Sequence, residues 1–439
     1  MLKFIGSYLA ITTALLLVAG CATAPQRKPA ASAAPTQEPT VLTVSGVPAP
    51  AGRTFSEDVA FLKQHTRAVV LENGGGKVVV VPEYQGRVMT SSVGGMKDLS
   101  FGWLNYDIIA GGVRPAAEVK GKLEEHIYVF GGEERFWLGP EGGQYAIYFE
   151  KGEPFDFDHW NTPPLIDTEP FKLVKKSESE AVFRRAFKIA NFSGYTFKGM
   201  INRRVNVLDR TTVARQLKVE LPDSVSAVAY QTRNALKNTG PTAWTRETGL
   251  LSIWLLGMYK PGANTTVVIP FKPGPEAKLG PIVNDTYFGK VPADRLIIGK
   301  NILFFSGDGT YRSKIGLTAR RAKGIAGSYD ADNRVLTIVT YNRKPADGPY
   351  VNSMWELQDE PYAGDVINSY NDGPPKPGAK PLGPFYELET SSPGAELEPG
   401  KSIVHIQKTA HLVGPEKELD AIAKKLLGVS LEAIKTALK

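Results

Sequence analysis

The chain is predicted to be all-β, an antiparallel sandwich with short C-terminal helices, and three observations carry that prediction. Short runs rich in Val, Ile, Tyr, Phe and Thr recur through the middle of the sequence. Gly, Pro, Asn and Asp punctuate them, from a pool of 44 glycines and 32 prolines that suits many turns and long loops. Helical periodicity is missing between the runs, so βαβ units and a parallel sheet are not expected.

Taken in order, the first element is a leader. Lys3 supplies a positive start, residues 7–18 an apolar run, and Val18-Ala19-Gly20-Cys21 places small residues before the sole cysteine. This resembles a lipobox. The resemblance implies cleavage after residue 20, acylation of Cys21 and attachment to a membrane through lipid, with the outer membrane preferred because Ala22 follows where a retention signal would have Asp. The alternative is an ordinary cleaved leader with an incidental Cys. Residues 21–53, rich in Ala, Pro and Thr, read as a solvated tether. A β domain is expected over 54–413, with strand runs at 67–72, 77–81, 144–149, 171–175, 181–190, 195–207, 212–219, 226–231, 251–257, 265–271, 301–305, 335–341 and 402–407. Asn73-Gly74-Gly75-Gly76 and Asp330-Ala331-Asp332-Asn333 read as turns between strands. Helix is expected only over 414–439, where Leu419, Ile422, Ala423, Leu426 and Leu427 recur at helical spacing before Gly428. Ser430 then caps a second helix carrying Leu431, Ile434 and Leu438.

Composition narrows the function classes. With 42% apolar residues and one Cys, a large core is possible and no disulfide can form within the chain. The net charge is +7, but Lys and Arg are interspersed with Asp and Glu along the sequence, so no nucleic-acid footprint is expected. There is no His-Glu-x-x-His and no Gly-x-Ser-x-Gly, and Gly74-Gly75-Gly76-Lys77 lacks the rest of a phosphate loop. No cofactor and no metal are expected. Asp156-Phe157-Asp158-His159 offers oxygen ligands, but it follows Gly152-Glu153-Pro154 and reads first as a solvated loop.

Three segments point further. Val78–Val88 carries a strand ending in Gly86-Arg87; Phe130–Gly143 holds a Gly-rich stretch with Arg135, Trp137 and Glu141; Pro384–Pro393, followed by Leu397–Ser402, holds Glu387 and Glu389. Together they resemble the galactose mutarotase-like supersandwich of aldose 1-epimerases, in a bacterial lipoprotein branch. The resemblance implies a carbohydrate partner. It also implies a late-strand Glu that takes the anomeric proton, a role for Glu387 or Glu389.

The residues support a sugar site on their own terms. A sugar stacks its C–H face on aromatic rings while its hydroxyls need polar groups, so both kinds must interleave. Arg135, Trp137 and Glu141 have that mixture, as do Trp355 and Glu356, with Arg135 expected to fix hydroxyls or an acidic substituent. The plainer reading makes both Trp residues core anchors. Glu387 and Glu389, two apart on a strand, share a face with Phe385, and burial of that pair would raise at least one carboxyl pKa; the plainer reading is an edge strand with a solvated acidic face. His126 matches the family's earlier sugar-binding His. No His lies between 160 and 404, where an epimerase keeps its acid, so Tyr370, Asp365 or Asp372 would have to substitute, or the site only binds. The functions expected are therefore a lipid-anchored epimerase-like enzyme, a glycan-binding lipoprotein or a structural envelope protein.

Overall fold

The computed structural model describes residues 53–95 and 98–439. The leader, Cys21 and the tether up to residue 52 lie outside them. Eighteen strands follow in order among the described residues: β1 (Val69–Asn73), β2 (Gly76–Val81), β3 (Arg87–Ser92), β4 (Arg135–Gly139), β5 (Lys172–Lys176), β6 (Glu180–Ala190), β7 (Thr196–Leu208), β8 (Ser226–Asn238), β9 (Ser252–Tyr259), β10 (Thr265–Pro270), β11 (Leu296–Ile298), β12 (Ile302–Ser306), β13 (Ser313–Thr318), β14 (Ile325–Asp330), β15 (Val335–Tyr341), β16 (Asp365–Asn371), β17 (Tyr386–Ser391) and β18 (Ser402–Val413). They form a ten-stranded sheet, β11-β12-β10-β14-β15-β18-β8-β7-β6-β5, a five-stranded sheet, β13-β16-β17-β9-β4, and a three-stranded sheet, β1-β2-β3. The pairings between these strands are antiparallel, as the sequence predicts.

The five-stranded sheet packs one face on the large sheet. Ile315, Ile367, Tyr386 and Leu388 from the small sheet meet Val267, Phe305 and Val339 from the large one, the alternation of each strand sending one residue in two to the core. The same interior also holds a polar seam. Arg203 pairs with Glu134 at 2.9 Å, Gln407 donates to Glu134, and His411 lies 3.2 Å from Glu133. His405 meets the Thr390 hydroxyl at 2.8 Å, and burial depresses its pKa to about 3.

Both C-terminal helices are where the periodicity puts them, at Glu416–Leu426 and Leu431–Thr436, with Ser430 accepting from the Ala433 N–H. Leu419, Ile422, Leu431 and Ile434 cover the outer face of the large sheet at Val268, Phe304, Leu336 and Ile338.

Helix also forms before residue 414, against expectation. Phe55–His65 is a helix closed by a reciprocal capping box between Thr54 and Glu57, so the domain opens on a helix rather than a strand. The run at 212–219 is mostly helix, Arg210–Leu217: Asp209 accepts from the Thr212 N–H and Lys218 closes the end in a left-handed conformation, so local capping overrides the β-branched Thr211, Thr212 and Val213. Short helical turns also lie at Tyr106–Gly111, Ala116–Val119, Leu123–His126, Pro164–Asp167 and Glu276–Leu279. Residues 144–149 form an irregular loop instead of a strand; they are packed in the core by Ala146, Ile147, Tyr148 and Phe149, so apolar content there reflects burial and not sheet pairing.

Candidate functional site

The outward face of the five-stranded sheet is where the chemistry converges. Register sets its rows: Met258, Glu387, Tyr370 and Lys314 stand side by side on β9, β17, β16 and β13, and Arg135, Leu256, Glu389, Asn368 and Gly316 form the next row. Trp137 and Trp254 follow in a third. Glu387 and Glu389 thus share a face, as alternation requires, while Tyr386 and Leu388 turn to the core. The solvated acidic edge does not exist: β17 is an interior strand, and Glu387 and Glu389 are 4% and 1% exposed.

Each carboxylate has its own cation. Arg135 reaches across from β4 to bond Glu387, and its guanidinium lies 4.5 Å over the Trp137 ring. Lys314 Nζ is 3.2 Å from Glu389, which also accepts from Trp254 Nε1 at 2.9 Å. Lys314 lies 4.9 Å from the Trp254 ring and 5.4 Å from that of Tyr287. Burial pushes Glu387 up to about 8, against the pull of Arg135 and with help from the neighbouring Glu389 charge. Burial alone would push Lys314 down, but Glu389, Glu141 and Glu387 together hold it above its ordinary value. Glu141 is raised by burial, with Lys314 opposing and Glu389 reinforcing.

A second group of acids borders this floor. Asp365 accepts from Tyr287 Oη at 2.7 Å, Asn368 donates to the same hydroxyl, and burial raises Asp365 to about 6. Gly316 is required here because a Cβ would fall 2.1 Å from Asp365 Oδ2. Tyr370 donates to Asp372 at 2.7 Å, and Asp372, raised by burial to about 6, also accepts from the Gly383 N–H.

Aromatic rings wall the site. Trp137 packs on Trp254 and Tyr148, Tyr148 stacks on Trp160, and Trp160 stacks on Trp355 with centroids 5.8 Å apart. At the other side Phe288, 44% exposed, meets Tyr370 edge-on and carries the Arg312 guanidinium 3.9 Å from its centroid. Among the described residues Arg135 Nε and Trp137 Nε1 are buried without a hydrogen-bond partner, and Glu389 Oε1 meets only the Lys314 ammonium, at 3.2 Å.

Of the residues singled out from sequence, Arg135, Trp137, Glu387 and Glu389 come together, and Glu141 and Trp355 border them. His126 is half-buried at the periphery, its Nδ1 2.8 Å from the Trp160 carbonyl. Glu356 is exposed and no ion pair or side-chain hydrogen bond ties it to the cluster. Trp137 is 4% exposed with one face under Arg135 and Trp160 is 6% exposed, so Trp355 and Phe288 offer the rings nearer to solvent. Asp156 and His159 pair with each other on an exposed turn, 2.6 Å apart. Among the described residues no three His, Cys, Asp or Glu side chains converge as a metal site would need.

Lys314, Trp254, Tyr287 and Asn368 join the site through tertiary pairing alone. One signal exists in Ser313–Thr318, where a single Lys alternates with Ile315 and Leu317 inside an otherwise uncharged strand.

Solved structures similar to this one include galactose mutarotase-like and aldose 1-epimerase proteins. A putative aldose 1-epimerase from Escherichia coli K12 is 10% identical, with 79% of this chain and 99% of that one covered at a TM-score of 0.41. A galactose mutarotase-like protein from Lactobacillus casei ATCC 334 is 10% identical, with 78% and 99% covered, also at 0.41. A galactose mutarotase related enzyme from Lactobacillus acidophilus gives 10%, 78%, 97% and 0.41. No curated protein matches the chain. A family model does match, over residues 53–438, nearly the whole of the described structure, and the chain belongs to that family, the family of unknown function DUF6786.

Proposed function

We propose that the outward face of the five-stranded sheet binds a sugar and moves protons on it in the manner of an aldose epimerase, in a protein held at the cell envelope by lipid on Cys21. The observation that carries this reading is the Glu387–Glu389 pair, two buried carboxyls with different partners. Glu387 holds a proton to about pH 8, while Glu389 is ion-paired with Lys314. Environments that separate two carboxyls in this way suit one to give a proton and the other to take one.

In the reaction proposed, Glu389 takes the proton of the anomeric hydroxyl as Glu387 gives one to the ring oxygen. The bond from C1 to the ring oxygen breaks and the C1 carbonyl forms; rotation and reclosure by the reverse transfers yield the other anomer. This removes the need for a histidine, whose absence between 160 and 404 weighed against the chemistry. Asp365 and Asp372, both raised to about 6, are further proton reservoirs beside the floor.

A second reading, a glycan-binding protein without turnover, is favoured by the deep burial of the pair: the Glu387 side chain is 6% exposed and Arg135's 5%. Anomer exchange in a panel of neutral aldoses, followed by NMR, separates the two. The enzyme reading expects exchange above the spontaneous rate, and Glu387→Gln is expected to lower it by about 10²–10⁴-fold. Trp355→Ala should instead weaken binding by about 1–3 kcal/mol. Saturable binding with exchange at the spontaneous rate selects the binding protein, and neither binding nor exchange across the panel overturns both.

A further inference from the structure

The Lys and Arg residues that look dispersed along the sequence are gathered by the large sheet onto one face. The C-terminal helices cover the outer side of β10, β12 and β15, and helix Arg210–Leu217 covers the end marked by Leu208, Ala229 and Ala410. Among the described residues no helix or strand packs on the rest of the outer side, over β5, β6, β7, β8 and β18. Register places its residues in rows. Lys172 stands directly opposite Arg184, Lys188 opposite Lys198, and Arg204 opposite Arg233. Lys175, Lys237 and Lys408 fall on the same face by the same pairings. All nine are exposed except Lys408, which is half-buried.

Against these nine cations the face sets one carboxylate, Glu180, which lies 3.0 Å from Lys175 and 3.3 Å from Arg204. The face alone thus accounts for the whole excess of the chain, whose formal net charge is +7. Like charges placed directly opposite across a sheet disfavour the pairing. Three such pairs on one surface lower the stability of the sheet unless an anionic partner neutralises them.

The face has a second property. Between the cations stand Val182, Met200, Val404 and Ile406, half-buried, and no aromatic residue. A single-stranded nucleic acid is held by stacking on aromatic rings, which this face does not offer. Cations interleaved with small apolar side chains on an open sheet instead match an anionic lipid surface, where basic groups meet headgroups and apolar ones reach between them.

We propose that the basic outer face of β5–β8 and β18 docks on anionic phospholipid, orienting the domain on the membrane that its acyl anchor reaches. The sugar-site face belongs to the other sheet, so the two surfaces are independent.

The test uses the chain from residue 21 onward, without the apolar leader and carrying Cys21→Ser so that no acyl acceptor is present, and vesicles of phosphatidylcholine with or without phosphatidylglycerol. The protein is expected to sediment with the mixed vesicles and not with phosphatidylcholine alone, and to be released as salt rises from about 0.1 M to about 0.5 M. Arg204→Gln with Arg233→Gln should weaken the association about 25-fold, at about fivefold for each cation. Because these two are opposed like charges, the double variant is expected to melt no lower than its parent, which separates lost docking from lost folding. Equal sedimentation with both kinds of vesicle, or equal affinity of parent and variant, would overturn the proposal. So would tighter binding to heparin or polyadenylate than to the mixed vesicles, since the face would then serve a soluble polyanion.

Discussion

Glu387 is the residue whose environment departs furthest from what its place in the sequence would dictate. A Glu on an exposed strand ionises at its ordinary value of 4.5; burial between β9 and β16 carries this one to about 8. The consequence for folding has a definite sign. The folded form keeps a proton that the unfolded form has lost, so this contribution to stability is full below about pH 4.5 and is lost as pH rises through about 8. Urea unfolding of the wild type and of Glu387→Gln at a series of pH values isolates it: the wild type should lose stability relative to the variant across that window. A difference that stays flat would show that Glu387 ionises normally. Buried His405, held near 3, works in the opposite direction, its contribution declining as pH falls from about 6.5 towards 3. Taking the difference from the single variant keeps the two apart.

At the scale of elements, the C-terminal helices were the most legible part of the chain because their signals are local. Ser430 as cap and the spacing of Leu419, Ile422 and Ala423 depend on nothing distant. Their stability comes from what they cover. Ile422→Ala should cost about 2–5 kcal/mol because its side chain is 3% exposed against the large sheet. Ser430→Ala should cost about 1 kcal/mol through the lost cap alone. Thermal or urea unfolding measures both, and equal costs would mean that the helices fold as a local unit without bearing on the sheet. The run at 212–219 shows the limit of the same reasoning. Its Thr and Val residues favour a strand, but Asp209 and Lys218 cap a helix, and the caps decide it.

At the scale of the whole molecule, the two outer faces have different characters. One sheet presents buried acids and aromatic rings; the other presents cations around a few apolar side chains. The anchoring reading adds a third requirement. Expressed in a bacterium that acylates lipoproteins, the wild type is expected in the membrane fraction after a high-salt wash, and Cys21→Ser should leave that fraction or remain unprocessed. Unchanged fractionation and processing of the variant would remove the lipid anchor from the account. A high-salt wash matters because docking by the basic face is screened by salt while acyl anchoring is not.

What the sequence by itself determined is what period and local chemistry can encode. Runs rich in Val, Ile and Thr punctuated by turn residues specified antiparallel strands, Asn73–Gly76 a hairpin, Ser430 a helix start, and the spacing of Glu387 and Glu389 a shared face. Which neighbours those faces meet is a matter of strand order, and strand order is not written in any one segment. Only the pairing of β4, β9, β17, β16 and β13 brings Arg135 to Glu387 and Lys314 to Glu389, across separations of 252 and 75 residues. The same holds for the basic face, where cations from five strands, spaced among acids along the chain, become neighbours because a sheet sorts side chains by side and register. Burial, and with it the rise of Glu387 and the dominance of the cations on one surface, follows from that assembly alone.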